Sequence, residues 1–121
     1  MEHGFDIFDC HHHVGDVKAF LGETMGGYGA SADDPRATEV RRRLEIMDEG
    51  GVRQACVIPG HGYERPNGIA DTRRINDDIA AYRDAHPDRF PVAAGVCEPL
   101  YGAESLAELD RGFWWRYRDH R

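Results

Sequence analysis

Three short apolar runs, each followed by a helix-length amphipathic stretch, constrain this chain more than anything else in it. The first run, "FDIFDC" at residues 5–10, alternates: Phe5 and Ile7 point to one face, Phe8 and Cys10 to the other. A glycine-rich loop, "GETMGGYGASADDP", separates it from the first helix. Asp34 and Pro35 are suited to the N-cap and first helical position. Ala37, Val40, Leu44 and Met47 then recur at helical spacing, and Gly50-Gly51 ends the run. "VRQACVIPG" follows as a second strand, and the loop "GHGYERPNG" leads to a second helix over residues 72–86. That helix places Ile75, Ile79 and Tyr82 on its apolar face and stops at Pro87. "FPVAAGV" reads as a third strand and "AESLAEL" as the start of a third helix.

The order is β-α-β-α-β-α, with strands apolar on both faces. Such strands pair in parallel with right-handed crossovers, so the fold class is α/β. In parallel α/β sheets, ligands gather at the carboxyl ends of the strands. His11 and His13 lie at that end of strand one, His61 follows strand two and Glu98 follows strand three.

Charge narrows the partners. Fifteen basic against 22 acidic residues give a net charge of −7. That argues against nucleic acid or an anionic membrane, both of which reward a basic surface. No apolar run is long enough to cross a bilayer, and the first residues resemble no secretory leader. Cys10, Cys56 and Cys97 are an odd count without close spacing, which reads as reduced, near-core thiols in a cytoplasmic protein.

The chemistry sits in "DCHHHVG". Side chains alternate along a strand, so Asp9, His11 and His13 are expected on one face and His12 on the other. Same-face Cα atoms lie roughly 6.6 Å apart, and two imidazoles can lean across that gap to one ion at about 2.0–2.1 Å. His11 and His13 are therefore the candidate metal ligands. Asp9, one step deeper, is placed to fix a histidine tautomer from behind. His61 and Glu98 are candidate substrate contacts, though each reads more readily as a solvated loop residue. His86 and Arg89, at the opposite end of strand three, read as turn and surface residues.

These residues also carry a resemblance. "IFDCHHHVG" resembles the first-strand Asp-x-His-x-His signature of the amidohydrolase superfamily. "LEIMDEGGVRQACVIPG", "INDDIAAYRDAHPDRFPVAAGVCEP" and "SLAELDR" are similar to successive stretches of its amidohydrolase-related branch. The resemblance implies a (β/α)₈ barrel with its site at the carboxyl ends of the strands. It also implies a divalent metal, zinc foremost, held by the two first-strand histidines and by later residues. The implied reaction is metal-dependent hydrolysis of a small amide, ester or lactone. Some members of the branch instead decarboxylate aromatic or unsaturated acids.

A barrel of that kind takes about 250 residues, whereas this chain has 121. The expectation is therefore a partial barrel of about three βα units, residues 1–111, with an atypical tail at 112–121. The tail, "GFWWRYRDHR", resembles nothing in the branch and is consistent with an out-of-frame ending. Read for itself, it continues an amphipathic helix through Leu106, Leu109, Phe113 and Tyr117. On this reading the chain binds metal weakly, is inactive alone and self-associates through an open sheet edge. A self-contained α/β binding module, with incidental histidines, is the remaining alternative.

Overall fold

The computed structural model describes residues 4–14, 35–60 and 65–118. Three parallel strands, β1 (Ile7–Val14), β2 (Val52–Pro59) and β3 (Val92–Ala93), form one sheet in the order β1-β2-β3. Helix α1 (Pro35–Glu49) connects β1 to β2, and α2 (Ile69–Ala85) connects β2 to β3. A 3-10 turn (Pro99–Tyr101) and helix α3 (Ala103–Arg118) follow. The α/β order and the parallel pairing read from the sequence are both present. The described sheet is open.

β2 is the organising strand because it is paired on both sides. Ala55, Val57 and Pro59 are buried while Gln54, Cys56 and Ile58 are only half-buried. The buried set faces the helices: Ala55 and Val57 cluster with Met47 of α1, Ile79 and Tyr82 of α2, and Val14 and Phe90. Val40 and Leu44 pack against this core as their helical spacing predicts. Both helices thus cover one face of the sheet. Gly51 makes the turn between α1 and β2 at φ 71°, a left-handed conformation that favours glycine.

Several boundaries differ from the sequence reading. α2 begins at Ile69 rather than near Thr72. Its first turn is closed by Asp71, whose carboxylate accepts the Asn67 backbone N–H at 2.7 Å. β3 is two residues long rather than seven. Beyond it, Asn76 of α2 takes over the backbone. The Val96 N–H donates to Asn76 Oδ1 at 2.7 Å, and Asn76 Nδ2 donates to the Val96 carbonyl at 2.9 Å. A side chain thus replaces the ladder bonds of a longer strand.

The third helix corrects the face assignment. It continues to Arg118, so the backbone of 112–118 extends the helix of the preceding residues. Yet Leu106 and Leu109 are exposed, while Ser105 and Glu108 are buried. Glu108 is turned inward by Arg111 and Asn76, which donate to it at 2.6–2.9 Å. The thiols are also less buried than expected: Cys10 and Cys97 are exposed and Cys56 is half-buried. His86 caps α2 through its backbone N–H to Tyr82, and Arg89 binds the Arg53 carbonyl and Asp48, both turn roles as read.

Candidate metal site on the first strand

β1 carries a one-residue irregularity at the point where its chemistry begins. Asp9 pairs with Ala55 and His12 with Val57, so three steps on β1 match two on β2. A bulge of this kind switches the phase of side-chain alternation. Asp9 and His12 consequently both lie on the helix-covered side, with the buried Ala55 and Val57. His13 pairs with Ile58 and lies on the opposite side, together with His11.

On that open side the two imidazoles meet edge to face, with ring centroids 4.8 Å apart. Their Nε2 atoms are separated by 3.0 Å. His13 Nδ1 donates to the Pro59 carbonyl at 2.6 Å, which makes its Nε2 an acceptor. His11 Nε2–H then donates to His13. When His11 carries its proton on Nδ1 instead, two lone pairs converge on one point. Two nitrogens bound to one ion at about 2.1 Å stand about 3.0 Å apart at a right angle and about 3.4 Å apart at the tetrahedral angle. The pair therefore fits one divalent ion as an edge of its coordination shell. Among the described residues no group of three or more His, Cys, Asp or Glu converges on such a point.

Asp9 does not stand behind these two rings. Its Oδ1 accepts the His11 backbone N–H at 3.0 Å and its Oδ2 accepts His12 Nδ1–H at 2.8 Å. The expectation that Asp9 orients a ligand ring is corrected to a bond with the histidine of the other face, and the bulge is the reason. The hydrogen bond from His12 is the chief cause that holds the Asp9 carboxyl below its usual pKa.

His12 begins a buried polar chain that the sequence reading missed. Its ring stacks on Phe90 at 6.4 Å, and its Nε2 accepts from Arg43 Nη1 at 3.0 Å. Arg43 Nε donates to Glu39 at 2.7 Å, and the Tyr82 hydroxyl also donates to Glu39. Glu39 is 0 % exposed and Arg43 4 %. The chain runs from β1 through α1 to α2. A signal existed: Glu39, Arg43 and Met47 are spaced four apart, so the ion pair lies on the buried stripe of α1.

Of the two loop candidates, His61 lies outside the described residues. Glu98 is engaged elsewhere. It accepts from Arg65 and from the Leu100 N–H, capping the 3-10 turn. A recess of about 260 Å³ lies between α2 and α3, lined by residues that include Asn76, Gly95, Glu108 and Arg111 but none of the histidines.

Among the described residues, the fold and site define an open, three-stranded parallel α/β unit with a histidine pair at the carboxyl end of β1. No protein-family model, curated protein or solved structure matches the chain. Among the described residues no helix is long and apolar enough to cross a membrane.

Proposed function

We propose that this chain supplies the His11/His13 half of a divalent metal centre of the amidohydrolase type, working in hydrolysis of a small amide, ester or lactone. The observation that carries the reading is the 3.0 Å approach of the two Nε2 atoms, with the His13 tautomer set by Pro59. A dictated tautomer is what a ligating imidazole requires, and a backbone carbonyl is a usual partner for the other ring nitrogen. The strand order supports the barrel reading. Sequential strands β1-β2-β3 with their connecting helices on one face are the pattern of a (β/α)₈ unit. A doubly wound sheet places helices on both faces.

The chain's own residues act as follows in this reading. His13 is held by Pro59 and turns Nε2 toward the ion. His11, half of the pair, follows the backbone that Asp9 pins through the His11 N–H. The Asp9–His12–Arg43–Glu39 chain fixes the strand from the covered side. What a divalent ion supplies there is Lewis acidity and an activated water at neutral pH. Both Asp9 oxygens are already engaged, so the base for that water comes from beyond this strand.

Zinc titration by calorimetry tests the reading. Wild type binds, and His11→Ala/His13→Ala loses the binding. Equal affinity in the two proteins rejects the metal centre.

A further inference from the structure

We propose that Arg43 is a positioning residue of the histidine pair: through His12 and Asp9 it fixes the backbone of His11, and with it the approach of His11 to His13. The inference rests on the metal reading above and names what holds one half of that site.

The two histidines are held differently. His13 is in register with Ile58, and its Nδ1 is tied to the Pro59 carbonyl. His11 lies in the bulge. Pairing steps from Asp9 with Ala55 to His12 with Val57, so Cys10 and His11 have no register partner in β2. A bulge leaves its extra residue out of the ladder. His11 is also exposed, so burial does not hold it. What ties its backbone is the N–H bond to Asp9 Oδ1 at 3.0 Å.

Asp9 holds that N–H in place only if its own carboxylate is fixed, and His12 fixes it. Oδ2 accepts His12 Nδ1–H at 2.8 Å. A neutral imidazole carries one proton, which can sit on either nitrogen. Arg43 makes the choice. A guanidinium donates and never accepts. Arg43 Nη1, 3.0 Å from His12 Nε2, therefore requires the lone pair there and sends the proton to Nδ1. The other tautomer would turn a lone pair on Asp9 and an N–H on Arg43.

Arg43 is itself fixed. Its Nε and Nη2 donate to Glu39, and the Tyr82 hydroxyl donates to the same carboxylate. Both Glu39 and Arg43 are buried. Hydrogen bonds shut away from water are electrostatically stronger, so the network is stiff. Donor and acceptor are thereby determined at every bond from Tyr82 to the His11 N–H. The network runs on the helix-covered side of β1 and supplies no ligand, so it takes none of the positions that water needs on the ion.

The test is zinc calorimetry beside nitrogen-edited NMR of the histidine rings, with circular dichroism melts to report folding. In the metal-free wild type, His12 is the Nδ1–H tautomer. Glu39→Leu/Arg43→Met removes both buried charges and lets His12 take either tautomer. Zinc then binds about tenfold more weakly, as loss of a bond behind a ligand does. His13 keeps its tautomer there, because Pro59 sets it. Two substitutions at His12 separate positioning from packing. In His12→Asn the amide nitrogen falls where Nδ1 was and still donates to Asp9, so zinc affinity holds. In His12→Gln the amide oxygen falls where Nε2 was. It accepts from Arg43, gives Asp9 no donor, and zinc binds about tenfold more weakly. Asn is the smaller of the two and fills the space beside Phe90 less well, so a packing effect would run the other way. Should the double variant not fold, the wild-type tautomer and the Asn–Gln contrast decide alone. An Nε2–H tautomer at His12 in wild type overturns the positioning role and leaves the metal reading standing. So does unchanged zinc affinity in a folded Glu39→Leu/Arg43→Met, or a His12→Asn that binds no better than His12→Gln. No zinc binding by wild type overturns both.

Discussion

Asp9 and His12 are hydrogen-bonded at 2.8 Å on the same side of β1, although three residues apart on a strand. A regular strand would hold them on opposite faces. The bulge between them is thus what divides the histidine run between the two faces of the sheet. His11 and His13 face the open side, and His12 is spent on anchoring the strand to α1. Asp9 follows His12.

The anchor makes a first prediction. Arg43→Ala leaves Glu39 buried with only Tyr82 for a partner among the described residues, and removing one member of a buried ion pair costs about 3–5 kcal/mol. Glu39→Leu/Arg43→Met, which removes both charges, costs clearly less. Urea denaturation of the single and double variants measures the difference. A single variant no less stable than the double would show that the pair is not the anchor.

Gly95 is close to Asn76 for a specific reason. A Cβ at residue 95 would stand 2.7 Å from Asn76 Oδ1, the atom that accepts the Val96 N–H. Gly95→Ala is expected to destabilise by about 1–3 kcal/mol, as overpacking does. In an Asn76→Ala background the added methyl has room, and its penalty disappears. A double-mutant cycle from thermal melts reads this coupling; additive effects would contradict it.

Acid lability follows from Glu108 and Asp71, whose carboxyls, like that of Asp9, are held below their usual pKa. Burial alone would raise the Glu108 pKa, but hydrogen bonds from Arg111 and Asn76 outweigh it and hold the group low. Asp71 is held low chiefly by the Asn67 backbone N–H. A depressed carboxylate binds its proton less readily folded than unfolded. Its contribution is therefore present above the unfolded values, about 3.9 for Asp and 4.3 for Glu, and is lost as pH falls through the folded values. Thermal melts from neutral pH downward should be flat until about pH 5 and fall below about pH 4. Glu108→Gln is less stable than wild type at neutral pH, and the gap closes in acid. A gap that stays constant with pH would remove Glu108 from the account.

Glu98 caps the 3-10 turn. Glu98→Ala removes the cap on Leu100 and the pair with Arg65, at a cost of about 1 kcal/mol. Zinc affinity is unchanged. A loss of zinc binding in this variant would place Glu98 at the metal centre.

Thr72 is fully buried and its hydroxyl has no hydrogen-bond partner among the described residues. Burying an unpaired hydroxyl costs about 1–3 kcal/mol in proteins. Thr72→Val keeps the branched shape and drops the hydroxyl, so it should raise stability by about 1 kcal/mol. A lowered melting temperature would mean that the hydroxyl has a partner after all.

Local sequence alone was enough for the elements and their pairing. Helical spacing put Met47, Ile79 and Tyr82 in the core, where they are. Two helix-length connections between apolar strands required parallel pairing, and the sheet is parallel. His11 and His13 shared a face by simple alternation, because only one residue separates them. What the sequence could not show depended on partners distant along the chain. The side of Asp9 was set by how β1 registers against β2, since a bulge exists only relative to a second strand. The shortness of β3 was set by Asn76, which takes the backbone groups of Val96 from twenty residues away. α3 turns Glu108 inward and Leu109 outward because Arg111 and Asn76 satisfy that carboxylate under the helix, a preference no periodicity of apolar residues records. Periodicity reports where greasy side chains recur. Only the assembled structure decides which polar groups find partners good enough to be buried in their place.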